Sequence, residues 1–318
     1  MNVIGLVGAL LPVFFVLALG YLAGKRHAFN AVQAAGFSKL ALGYALPAAL
    51  FVSMTDIRRD LLLQQAGLVL ALLISHLGLF LLAWVCLGRI PALKGAGSIL
   101  LALTLSTSAT PVFGIAVLQP LLGNTSAGTV GLVALAINLV MPLAIIVLEL
   151  NAAKSAASIA TSEPVQGSPV VAGLKAGLTS PLLWAPILGI VVVLAGIHLP
   201  KEISSSLEMI GSATSGVAVF TVGLTLAAHS FLISPAVVFG TVGRISVQTL
   251  FLFLLFRLIG VSGIFAREAL ICSSFPMATA VVLFAAKYRA FEAEASSILL
   301  LSTVSLLATV PLTIALGH

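Results

Sequence analysis

Two short stretches of this 318-residue chain place side-chain hydroxyls beside a proline inside apolar runs. The first reads Ser106-Thr107-Ser108-Ala109-Thr110-Pro111-Val112-Phe113-Gly114, and the second Ser273-Ser274-Phe275-Pro276-Met277-Ala278-Thr279. Proline removes a helix hydrogen bond and clashes with the preceding turn, yet it suits the first position of a helix capped by Ser or Thr. Each stretch therefore predicts a helix that stops and restarts. A restarted helix presents free N–H groups and a positive dipole end at the break. Two such ends aimed at one spot suit an anion, most simply a carboxylate, without a buried Lys or Arg. The competing reading is a pair of ordinary proline kinks. Pro47 and Pro142, which lack a polar cluster and a symmetric mate, read as kinks.

The elements that must hold these stretches follow from composition. Apolar residues make up 60% of the chain and charged residues 8%, whereas a soluble chain carries roughly 25% charge to face water. That excludes soluble enzymes, nucleic-acid-binding modules and disulfide scaffolds. Continuous rather than alternating apolar runs argue against a β-barrel. Ten runs of membrane-spanning length emerge: Val3–Ala23, Ala31–Ser53, Leu62–Leu87, Ala96–Leu122, Ala127–Leu150, Pro181–Ile197, Leu207–Ala228, Val237–Ile259, Glu268–Ala286 and Ser296–Ala315. The Ala-, Ser-, Gly- and Pro-rich segment 151–180 reads as a flexible cytoplasmic linker between a first repeat, 1–150, and a second, 181–318. Halves with an odd number of spans lie in opposite orientation, and an inverted repeat is the usual skeleton of a secondary transporter. The predicted fold is thus an all-α polytopic membrane protein, ten transmembrane helices as a 5+5 inverted repeat. Its fourth and ninth helices are broken and cross at the bilayer midplane, where matching prolines weigh toward a binding site.

Charge sets the expected topology. No Lys or Arg precedes the first run, while Lys25, Arg26 and His27 follow it, the reverse of a cleaved signal peptide. With the N-terminus outside, Lys25, Arg26, Arg89, Lys94, Lys154, Lys175, Lys287 and Arg289 fall inside. Arg58, Arg59, Lys201, Arg257 and Arg267 fall outside, a positive-inside bias that also places the C-terminus outside. The net charge of +6 forms no basic cluster, so no nucleic-acid partner is expected. Cys86 and Cys272 read as small core fillers.

Polar groups within the runs are few. Lys39 reads as a snorkelling cation; Arg244, with Gln248 one turn later on the same face, either snorkels or lines a polar path. Asn138 is interhelical glue or ligand, and His76 a hydrogen-bonded structural group or a titrating one. No Asp or Glu falls near a run centre, Glu149 lying at an inner end and Glu208 at an outer one, which argues against carboxylate-based cation exchange. Coupling to H⁺ through His76 or the substrate, or to Na⁺ through backbone carbonyls, stays open. Gly211-Ser212-Ala213-Thr214-Ser215-Gly216, then Gly223, permit close approach between helices or in a homodimer. No catalytic pair and no cofactor-binding set is evident, so the chain is not expected to be an enzyme.

The motif Gly20-Tyr21-Leu22-Ala23-Gly24-Lys25 and the stretch Ala45-Leu46-Pro47-Ala48-Ala49-Leu50-Phe51 resemble the bacterial auxin efflux carrier family. So do Gly223-Leu224-Thr225-Leu226-Ala227 and Pro276 with the run to Ala285-Ala286-Lys287-Tyr288. The likeness covers essentially the whole chain and is nearest to malonate and malate permease-like members. The resemblance implies a crossover of the fourth and ninth helices and an elevator-like mechanism. Spans one, two, six and seven would form the scaffold; three to five and eight to ten would carry substrate. The family often has an Asn shortly before a Gly in the fourth span, where this chain has Ala109 before Gly114, and Pro111 is shifted. The polar work would then fall to Thr107, Ser108 and Thr110. The expected protein is a secondary transporter of a small organic anion, a mono- or dicarboxylate such as malonate or malate, in the bacterial inner membrane. An anion-selective channel or uniporter-like pore is the alternative. The expected binding set is Thr107, Ser108, Ala109, Thr110, Pro111, Gly114, Ser273, Ser274, Pro276, Asn138, Arg244 and Gln248, with His76 as the coupling candidate.

Overall fold

A computed structural model describes residues 3–57, 59–93, 95–110, 114, 117–118, 126–159, 171, 175, 178–179, 181–197, 199–228 and 231–316. In order the helices are α1 (Val3–Lys25), α2 (Ala31–Leu40), α3 (Leu46–Thr55), α4 (Arg59–Gln64), α5 (Ala66–Leu73), α6 (Leu79–Leu87), α7 (Ala96–Ser106) and α8 (Ser126–Ile159). They continue as α9 (Pro181–Leu194), α10 (Lys201–Ala228), α11 (Pro235–Ile259), α12 (Ile264–Ser273), α13 (Ala280–Tyr288) and α14 (Glu292–Leu316). Single π turns, Ala41–Ala45 and Ile74–Gly78, join α2 to α3 and α5 to α6. Among the described residues there is no strand beyond one isolated bridge.

Among the described residues three stretches are long and apolar enough to cross a membrane: Ala66–Leu87, Gly128–Ser155 and Pro235–Ile259. Helix α11 shows why the surroundings must be hydrocarbon. Leu250, Leu254 and Leu258, one turn apart, point outward, while Arg244 and Gln248 are buried on the other face. A helix facing water has the opposite arrangement. The C-terminal end of α8 differs from the expected linker boundary: Asn151–Ile159 continue the helix, because Ala152, Ala153, Ala156 and Ala157 are strong helix formers.

Packing falls into two groups. Helices α1, α2, α3, α9 and α10 pack chiefly with one another, and α5 to α8 with α11 to α14. The first group is seamed by glycine. A Cβ on Gly20 would lie 2.2 Å from the Phe220 carbonyl oxygen, and one on Gly223 2.3 Å from that of Leu17, so the backbones of α1 and α10 touch. Gly211 meets Ala49 and Gly189 meets Met54 in the same way, whereas Gly216 faces nothing within 4 Å. The second group supplies most of the buried core, including Leu100, Leu101, Ala136, Ile271, Val281 and Phe284. Cys272 belongs to this core, but Cys86 is exposed on α6. The expectation of two core cysteines is corrected at Cys86, whose helix turns that face outward.

Candidate functional site

Helix α7 stops at Ser106, and Thr107 turns extended, with φ −125° and ψ 137°. Helical backbone resumes at Thr110. On the other side, α12 stops at Ser273 and α13 starts at Ala280. The two interruptions lie against each other: Ser108 and Met277 form an antiparallel bridge, in which Ala109 N–H donates to the Pro276 carbonyl at 2.8 Å and Ala278 N–H to that of Thr107 at 3.3 Å. Pro276 can only accept, having no N–H of its own. Each break thus pairs part of the backbone that the other leaves unsatisfied. Irregular backbone at membrane depth requires such internal pairing.

The hydroxyls have found local partners. Thr107 Oγ1 donates to Leu103 O at 2.6 Å, Ser273 Oγ to Leu270 O at 2.6 Å, and Ser274 Oγ to Ile271 O at 2.7 Å. These bonds meet carbonyls in the last turns of α7 and α12. Ser108 Oγ and Thr110 Oγ1 are 2.7 Å apart, and Thr110 Oγ1 donates to Cys272 O at 3.3 Å, which ties the resumed fourth segment to the end of α12. A ligand would meet oxygens whose protons are already directed elsewhere. Gly114 lies where the resumed segment packs on α8: a Cβ there would come within 2.7 Å of Val130. Asn138 is buried on α8. Pro111 lies outside the described residues.

Arg244 neither snorkels nor reaches solvent. It is 0% exposed, and its guanidinium donates to three carbonyls: Leu105 at 2.7 Å, Ser273 at 2.5 Å and Phe275 at 3.3 Å. Leu105 and Ser273 close the first halves of the two broken helices, whose carbonyl ends carry negative dipole charge. The cation is compensated by two helix ends rather than by a carboxylate, and it braces both breaks at once. Lys39, the other cation within an apolar run, is exposed on α2.

One turn along α11, Gln248 Nε2 donates to Ser75 Oγ at 2.9 Å. Ser75 and His76 lie on the π turn Ile74–Gly78. His76 Nδ1 is 2.8 Å from Leu72 O; a carbonyl only accepts, so Nδ1 carries the proton and Nε2 a lone pair. His76 Nε2 and Gln248 Oε1 are buried without a partner among the described residues.

One buried acid escaped the sequence reading. Glu268 is 0% exposed on α12 and accepts a hydrogen bond from Thr129 Oγ1 of α8. It had stood as the opening residue of a run, at the membrane boundary. Because α12 begins at Ile264, Glu268 falls a turn inside the helix, one turn before Cys272. The positive-φ Gly263, which precedes α12, is the signal that would have moved the boundary. At the far end of α13, Lys287 Nζ and Tyr288 OH each reach Glu149 Oε1 of α8 at 2.7 Å. That pair is partly exposed and contributes about 0–1 kcal/mol.

The sequence profile of the membrane transport protein family matches residues 6–314. The proteins named uncharacterized transporter YfdV in Escherichia coli K12, Escherichia coli O157:H7 and Shigella flexneri are each 29% identical over 306 residues, spanning 96% of this chain and 96% of theirs. The match runs through both interruptions and both packing groups, and the chain accordingly belongs to the membrane transport protein family, the auxin efflux carrier family that its motifs resemble.

Proposed function

We propose that this membrane transporter is a secondary carrier of a small organic anion, a mono- or dicarboxylate such as malonate or malate. The observation that carries the reading is the pairing of two helix interruptions, fully buried, around the Ser108–Met277 bridge. Thr279 precedes α13 without a side-chain cap, and Val281 and Val282 N–H donate to the Ala278 and Thr279 carbonyls at 3.1 Å each, bonds that a carboxylate at this helix start would replace. In the bacterial inner membrane the chain forms ten spans as a 5+5 inverted repeat, repeats 1–150 and 181–318 joined through 151–180, with both termini outside. The division into two packing groups supports an elevator-like motion, the α1–α10 seam staying fixed while the crossover group shifts. Counterflow in proteoliposomes tests the reading. Labelled malonate or malate should enter saturably and faster into vesicles preloaded with unlabelled anion. Linear entry without acceleration would assign an anion channel, and no entry of any carboxylate would reject the substrate class.

A further inference from the structure

We propose that His76 and Gln248 form a proton site that loads together with the transported anion, so that each dicarboxylate moves with one H⁺. This rests on the organic-anion reading above and adds the coupling ion to it. Two buried acceptors without donors among the described residues carry it. His76 Nε2 holds a lone pair because Nδ1–H is committed to Leu72 O. Gln248 presents Oε1 unpaired because its amide nitrogen is committed to Ser75 Oγ. A buried acceptor left unpaired forfeits its hydration without a replacement bond. A site that keeps two, on a π turn and its facing helix, is built to receive a donor; π turns recur where function requires local irregularity. In the transfer, a hydronium ion from the aqueous phase gives its proton to the Nε2 lone pair and leaves as water. The N–H bond breaks to water on the opposite side.

The link to the anion is electrostatic. The π turn packs against α5, α6, α7, α8 and α11. Helices α5, α6 and α7 carry no charged residue. On α8, Glu149 is tied to Lys287 and Tyr288, and Lys154 is exposed. On α11, Arg257 is exposed against the Phe253 ring. Arg244 is buried one turn before Gln248 on the same helix, and it braces the crossover itself. A second positive charge on His76 is opposed while Arg244 stands alone and favoured once an anion occupies the crossover. By linkage, the proton raises anion affinity by the same factor.

The test uses purified full-length protein and malonate. In proteoliposomes an acid-outside gradient should raise initial malonate uptake about tenfold, with the lumen acidifying as anion enters, read by trapped pyranine. His76→Asn keeps a donor for Leu72 O and removes the titrating nitrogen; its gradient stimulation should fall below about twofold and its acidification should vanish. Should that variant be inactive, calorimetry of malonate binding in two buffers of different ionisation enthalpy reads the same quantity without transport. Wild type should take up about one proton per malonate and His76→Asn none. Malonate uptake without acidification in wild type, or equal proton uptake in both proteins, overturns the proposal. Wild type that shows no counterflow overturns the carrier reading itself.

Discussion

The α1–α10 seam and the crossover solve the same problem in opposite ways. Helices in hydrocarbon gain little from burying apolar surface against each other. At the seam, Gly20 and Gly223 remove side chains until backbones touch, and no polar side chain is needed. At the crossover, backbone leaves the helix, and an arginine, a bridge and five hydroxyls satisfy what is exposed. The seam spends nothing on charge and has no room to change; the crossover carries polar groups that a ligand can rearrange. A rigid region and an adaptable one within one membrane protein suit alternating access.

Substitutions on the two sides should separate these roles. The largest effect is expected from Arg244→Ala, which strips three carbonyls of their donor; about 3–5 kcal/mol of stability should be lost and uptake should collapse. Arg244→Lys should recover only part, because an ammonium cannot span the fork. Thermal unfolding in detergent, alongside counterflow, reads both. Next comes Gly223→Leu, whose side chain would meet the Leu17 carbonyl and force α1 from α10, at about 1–3 kcal/mol. Here the melting temperature should fall while malonate affinity of the folded fraction is kept. Loss of affinity in step with stability would show that the seam and the crossover are one unit. Thr129→Val leaves Glu268 without that donor and should cost about 1–2 kcal/mol, measured by the same melt. Gly216→Ala, facing open space, should stay within about 0.5 kcal/mol of wild type.

Much of the crossover was legible because its chemistry is local. Ser-Thr-Ser before one proline and Ser-Ser before another announce helix ends within a few residues of where they occur. The membrane setting was equally legible, since hydrocarbon leaves its mark on every run. What resisted reading was long-range. Arg244 finds its carbonyls at separations of 29, 31 and 139 residues, so its brace across both breaks has no trace in neighbouring sequence. The hydroxyls lie at the breaks, yet their protons go to nearby carbonyls and to one another, which only three-dimensional geometry reveals. Glu268 was misplaced by a boundary error of one turn, and the π turn holding Ser75 and His76 has no residue signature. The helical start of 151–180 rests on alanines that continue α8, in a segment whose Ser, Gly and Pro content reads as linker.

The most direct test is the counterflow rate of Pro276→Ala against wild type, with membrane insertion measured in parallel. Alanine restores the missing N–H and lets α12 run on toward α13. If the interruption is the place where anion is held, exchange of labelled malonate should fall at least about tenfold with insertion unchanged. Exchange at the wild-type rate through a healed helix would contradict the account.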